Sequence, residues 1–278
     1  MTNINLIEPR EYDFTVNKLR EFFRKKKFVE VPVQHRLSIL AACEDPRTIA
    51  TFNYAGALWP LPQTGQMWLE YELLKKPDAA GFYCISTSYR NEPNPIPGRH
   101  DLIFPMFEFE THGDIETLIK LEKELLEFLG FKKAESFPQG EYEQIAKRYQ
   151  VRELSAKEEG KIFKDFGPVF FLTKFPQYTS PFWNMKSDGV YANKVDVILY
   201  GIETIGSAER SVDKKAMRDN FHNISEGMYA NLLYAQFTKE RVEEELEKFL
   251  SLEFFPRCGG GIGITRMIRA LKLAKILK

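Results

Sequence analysis

The chain of 278 residues carries no net charge, because 39 lysines and arginines balance 39 aspartates and glutamates. No field of one sign surrounds it. That argues against a general polyanion binder and suits a small ligand neutralised locally. Cysteine is scarce: Cys43, Cys84 and Cys258 are scattered without metal-type spacing. Neither a disulfide framework nor a zinc site is encoded, and a reducing compartment is implied. The four histidines are dispersed and no cysteine stands in a nucleophile context, so a glutaminase motif is missing too. No stretch reads as a signal peptide or a membrane span, which makes the cytoplasm the expected location. Apolar residues make up 44% of the chain, enough to bury one large core or two small ones.

What is present concentrates in residues 88–110. An apolar run (Phe82, Tyr83, Ile85) leads in, and alternation across Phe104, Met106, Glu108 and Glu110 leads out. This is the pattern of two strands, with the turn carried by Pro93, Pro95, Pro97 and Gly98. Arg90 and Glu92 stand two apart on one strand face, Arg99 and His100 fall in the turn, and Phe104 opens the second strand. A guanidinium can grip a phosphate, an aromatic face can carry a purine, and a carboxylate can accept from an amine. Ordinary surface charges on a hairpin fit the same residues.

Residues 195–210 form the second focus. An apolar strand carries one carboxylate, Asp196, and Gly201, Gly206 and Ser207 let the backbone pass close to a neighbour. Glu203 and Arg210 lie seven apart, on opposite faces of an ideal strand, so a bulge at Gly206-Ser207 is expected if they converge. Acidic groups beside a polyphosphate commonly hold hydrated Mg²⁺, and an arginine in a closed pocket suits a carboxylate. A solvated strand edge is the plain alternative.

The remaining chain reads as scaffold. Residues 12–27 form an amphipathic helix with Val16, Leu19 and Phe23 inward, followed by a short strand ended by Pro32. Asp114 caps a helix running to Gly130. Residues 140–166 hold one or two short helices, expected as a surface insertion. Residues 214–249 read as two helices, with Thr238 as an N-cap. Residues 256–266 read as a glycine-rich loop opening the last helix, a weak signal alone.

Taken together, these stretches resemble the class II aminoacyl-tRNA synthetases. Helix, strand and proline at residues 12–32 resemble motif 1; Arg90-x-Glu92, Arg99-His100 and Phe104 resemble motif 2. Gly259, Gly261, Gly263 and Arg266 have the spacing of motif 3. Glu203 to Arg210 resembles the asparaginyl pattern Glu-x-x-Gly-Gly-Ser-x-Arg, which places the chain near the aspartyl and asparaginyl branch. The resemblance implies one α+β catalytic domain over residues 1–278, an antiparallel sheet flanked by helices, working as a homodimer through motif 1.

It also implies roles. ATP would be bound by Arg90, Glu92, Arg99, His100, Phe104, Glu203, Thr204, Gly263 and Arg266, with Arg90, Glu203 and Arg266 catalytic. Glu203 would bind Mg²⁺, with Asp196 as the second candidate ligand. The amino acid would meet Glu44, Gln66, Glu108, Arg210, Arg257 and Gly261. Leu69 stands where aspartyl enzymes carry a lysine, as in the asparaginyl branch. Arg257 replaces a usual histidine and Thr265 a usual acid; the added charge of Arg257 is expected to favour aspartate over asparagine. The motif 1 helix begins almost at Met1, where the tRNA-acting members carry an anticodon-binding barrel. On that ground the chain resembles the archaeal asparagine synthetases related to asparaginyl-tRNA synthetase. Aspartate, ATP and free ammonia are then the expected substrates, with no tRNA and no membrane partner. Alternatives are an aminoacyl ligase acting on tRNA or another macromolecule, and a non-catalytic amino-acid sensor.

Overall fold

The computed structural model describes residues 6–32, 38–42, 46–96 and 101–277. Glu44, Arg99 and His100 lie outside them. The first helix, α1 (Pro9–Lys25), begins where Glu8 caps Arg10 N and Pro9 needs no amide partner. It buries Val16, Leu19, Phe22 and Phe23, each contributing about 1.5–3 kcal/mol by leaving water. Phe23 meets Phe107 and Phe109, with ring centres 5.1 and 5.0 Å away. The short strand β1 (Val29–Glu30) follows. A separate hairpin, β2 (Thr51–Tyr54) and β3 (Ala57–Pro60), then leads to α2 (Gln66–Lys75).

The next two strands are β4 (Gly81–Tyr89) and β5 (Ile103–His112), paired antiparallel from Gly81↔Thr111 to Tyr89↔Ile103. As the alternation requires, Phe107 and Phe109 point into the core beneath the sheet while Glu108 and Glu110 take the other face. Asp114 caps α3 (Ile115–Leu129), which ends on left-handed Gly130. Then come β6 (Gln139–Glu141), α4 (Tyr142–Arg148), α5 (Ala156–Phe166), β7 (Val169–Pro176) and β8 (Ser187–Asp188). Two long strands, β9 (Tyr191–Leu199) and β10 (Ile202–Glu209), precede three helices, α6 (Lys214–Asn223), α7 (Met228–Phe237) and α8 (Lys239–Leu250). The chain closes with β11 (Arg257–Gly263) and α9 (Ile264–Leu273).

The strands build a sheet in the order β1-β4-β5-β11-β10-β9-β7-β6, with β8 beside β9. Pairings are antiparallel except β1 with β4 and β6 with β7. Helices α1, α3 and α9 cover one face over the main core. On the other face, α4 and α5 pack Tyr142, Ile145 and Ile162 on Phe170, Leu172 and Ile198, and α6–α8 enclose Trp183, Phe221 and Phe249. The middle of that second face stays open. Among the described residues, no helix is long and apolar enough to cross a membrane.

Several expectations change. Residues 140–166 are a lid on the sheet, because their apolar stripe finds Phe170 and Leu172 rather than water. Residues 214–249 form three helices, interrupted by left-handed Ser225, Glu226 and Gly227. Thr238 makes no side-chain cap and sits at φ 67°. The glycine-rich stretch is a central strand, not a loop, held between β5 and β10.

Candidate active site

The open part of the sheet face is a cavity of about 300 Å³. Its outer end is built by the β4–β5 hairpin. Arg90 leaves β4 with its amide bonded to Leu102 O, 2.7 Å, and its Nε lies 3.3 Å from Ser88 Oγ. The guanidinium rests 5.4 Å above the ring of Phe104. Cation and aromatic face are therefore presented side by side, with half-buried Glu92 next to them on the cavity wall.

The inner end is a buried ionic network. Glu108 accepts from Gly65 N at 2.8 Å and from the hydroxyls of Thr64 and Ser86. These bonds tie the start of α2 to β5. Burial raises the carboxyl pKa of Glu108, and those donors oppose the shift. Gln66 donates its amide to Phe109 O and to Glu110. Arg210 bonds Glu110 through Nε and Nη2, reaches Gly259 O at 3.1 Å, and has Glu70 at 3.7 Å. Burial pushes the Glu110 carboxyl upward, Arg210 pulls it down, and Glu70 pushes it up again. Glu70 in turn holds Asn184 Nδ2 at 2.7 Å and Arg257 at 2.6 and 3.1 Å.

Arg257 therefore does not lend its charge to the cavity, which corrects the sequence expectation. It is fully buried, spent on Glu70 and Ser211 O, and stacked 4.8 Å from Phe254. Among the described residues, Arg210 is the cation that lines this end, with Glu70 beside it on the wall and Glu110 buried behind it.

The third region lies on β9, β10 and α9. Glu203 and Arg210 do border one cavity, but the irregularity that allows it falls between Glu203 and Ile205, not at Gly206-Ser207. The extra residue is Thr204, which also lines the cavity. Arg266 donates to Glu203 O at 2.8 Å and lies 3.9 Å from its carboxylate. Gly261 and Gly263 form part of the wall, and a Cβ at Gly261 would strike Met106 at 2.6 Å. Asp196 is buried and does not border the cavity. Its pKa is pushed up to about 8, chiefly by burial, with Lys194 opposing and Glu203 adding to the rise. A Cβ on Gly206 would come within 2.9 Å of Glu203 Oε1 and 3.7 Å of Asp196 Oδ1. Two carboxylate oxygens thus converge where the backbone leaves room, a donor set that fits Mg²⁺ completed by phosphate oxygens and water.

Glu70, Lys194 and Asn184 are among the residues of this site that the sequence did not reveal. Glu70 lies four residues after Gln66 on α2, a same-face spacing that could have flagged it. Lys194 stands two before Asp196 on one strand face. Asn184 had no local signal.

Residues 12–276 match the family described as tRNA synthetases class II (D, K and N). The chain belongs to this family. It is also similar to the aspartate–tRNA(Asp) ligase of Pyrobaculum aerophilum, 27% identical over 123 residues, 43% of this chain and 25% of that one. The asparaginyl-tRNA synthetase from Pyrococcus horikoshii, solved with asparaginyl-adenylate, superposes with a TM-score of 0.76 at 22% identity. The overlap covers 96% of this chain and 65% of that one. The Entamoeba histolytica asparaginyl-tRNA synthetase, also with asparaginyl-adenylate, gives 0.74 at 17%, covering 94% and 63%. The chain spans less than two thirds of each of these relatives. The likenesses establish the class II fold and the relation to the aspartyl and asparaginyl branch, whose members are ATP-using ligases.

Proposed function

We propose that this chain is an ammonia-dependent asparagine synthetase of the AMP-forming kind, acting on aspartate and ATP without tRNA. One observation carries the reading: Arg210 and Glu70, 3.7 Å apart, both border the inner end of the cavity, with Glu110 buried behind Arg210. A cation beside an anion complements the carboxylate and ammonium of an amino acid's α-carbon better than a lone side-chain carboxylate. With that head bound inside, aspartate's β-carboxylate faces outward, towards Arg90.

A β-carboxylate oxygen then attacks the α-phosphorus of ATP, and the bond to pyrophosphate breaks. Ammonia next attacks the β-aspartyl carbon, AMP leaves, and one proton is released as asparagine forms. Mg²⁺ bound with the nucleotide would supply positive charge at the phosphates, and Glu203, which borders the cavity, would hold it. Arg90 neutralises charge growing at the phosphate, and Phe104 carries the adenine with Glu92 at its amino group. Arg266, tied to Glu203 O, is placed for the distal phosphate. Catalysis of this kind rests on positioning and fixed charges. A cytoplasmic homodimer joined through α1 and β1 belongs to the same proposal.

A second reading, favoured by the similarity to the Pyrobaculum ligase, is an aminoacyl ligase with a macromolecular acceptor. One assay separates the two. The protein is incubated with ATP, Mg²⁺, aspartate and ammonium, with no tRNA present. Asparagine and AMP are expected in equal amounts. Pyrophosphate exchange without asparagine at high ammonium would sink the synthetase in favour of the ligase. No turnover of any kind would leave an amino-acid sensor.

A further inference from the structure

Lys194 is the one lysine on the cavity wall among the described residues. It shares a strand face with Asp196, and its Nζ lies 3.0 Å from both carboxylate oxygens. Only Oδ2 receives it in hydrogen-bond geometry. The same ammonium stands 4.1 Å from the ring centre of Phe175, and the side chain is 24% exposed. It is held by a carboxylate and an aromatic face yet remains open to the cavity.

This position bears on the metal. Asp196 Oδ1 and Glu203 Oε1 both approach the space above Gly206. A divalent ion held by Asp196 would therefore sit within a few ångström of an ammonium already fixed there. Two cations that close, in a site with little water, repel strongly. The buried carboxylate is already matched by one positive charge. A polyphosphate arriving between Arg90, Arg266 and Glu203 would find that charge as an N–H donor.

We propose that Lys194 is a built-in cation of the phosphate-binding end. It supplies at Asp196 the charge that a second divalent ion would otherwise bring, and it contacts the nucleotide's polyphosphate directly. Glu203 is left to hold a single metal ion. The assignment rests on the cavity binding ATP, but not on whether ammonia or a macromolecule takes the acyl group.

The test counts ions and measures binding rather than turnover. The full chain is titrated with Mn²⁺ and a non-hydrolysable ATP analogue, and bound Mn²⁺ is counted by electron paramagnetic resonance. One ion per site is expected in the wild-type protein and two in Lys194→Met, where Asp196 is freed. Calorimetry with the same analogue should show binding weakened about ten- to a hundredfold in Lys194→Met. Excess Mg²⁺ should recover part of the loss, and Lys194→Arg should restore most of it. Two ions in the wild-type protein would overturn the assignment, even if Lys194→Met fails to fold. Unchanged affinity and ion count in a folded Lys194→Met would overturn it equally. Absence of analogue binding by the wild-type protein would remove both this assignment and the adenylate-forming proposal.

Discussion

Glu122 sits on α3 beneath the sheet, fully buried, with no hydrogen bond to either carboxylate oxygen among the described residues. Ser207 lies beside it, but that hydroxyl bonds Val195 O at 3.3 Å. Burial pushes the carboxyl up to about 8, and the nearby Asp196 charge adds to the rise. The folded protein therefore keeps a proton that the unfolded chain releases near its ordinary value of 4.5. Stability tied to this group is greatest below pH 4.5, falls as pH rises, and levels off above about pH 8. Asp196 and Glu110 titrate in the same direction, so the comparison must isolate Glu122. Glu122→Gln should remove part of the fall, leaving a variant several kcal/mol more stable than wild type at pH 8. Thermal unfolding of both proteins from pH 5 to 9 checks this, and equal pH slopes would refute it. Sequence could not single out Glu122, because a glutamate in a helix of alternating charge looks solvent-facing. Arg257 was misread for a related reason. Its partner Glu70 is 187 residues away, and no local pattern reports a neutralising charge at that distance.

At the scale of elements, legibility followed periodicity. The alternation of β5 and the stripe of α1 were readable because each face has its own chemistry. The strand β11 was not, because four of the seven residues in Arg257–Gly263 are glycine. Glycine has low strand propensity, and what makes it necessary is a neighbour. At Gly259, an added Cβ would lie 2.1 Å from Glu110 Oε2 and 2.2 Å from Phe109 O. The backbone oxygen cannot step aside without breaking the β5–β11 pairing. Gly259→Ala should cost about 3 kcal/mol or more, with loss of the Arg210–Glu110 contact. Gly160, inside α5, has nothing within 4 Å of an added Cβ. Gly160→Ala should gain about 1 kcal/mol through helix propensity. Denaturant midpoints of both variants test the contrast, and similar losses would show that the close approach at β11 is not the cause.

For the whole molecule, the open question is how a sheet with an exposed edge is completed. Among the described residues, the edge strand β1 joins only β4, and its Val29 is 51% exposed. Beside it, Arg20 clasps Glu30 at 2.6 Å while Tyr83 Oη donates to the same carboxylate at 3.2 Å. Arg20 holds the Glu30 carboxyl below its ordinary value. The α1–β1 corner is thus rigid and apolar at one point, and an unpaired edge of that kind invites a second chain. The resemblance of residues 12–32 to motif 1 points the same way, since that motif builds a homodimer interface. Light scattering on the wild-type protein should give the mass of two chains. Val29→Lys places a charge in the contact and should shift the mass towards one chain at micromolar concentration. Its monomer should still unfold cooperatively, because Val29 contributes nothing to the buried core. A wild-type protein already of single-chain mass would end the argument, and β1 would then be an edge kept short to avoid pairing.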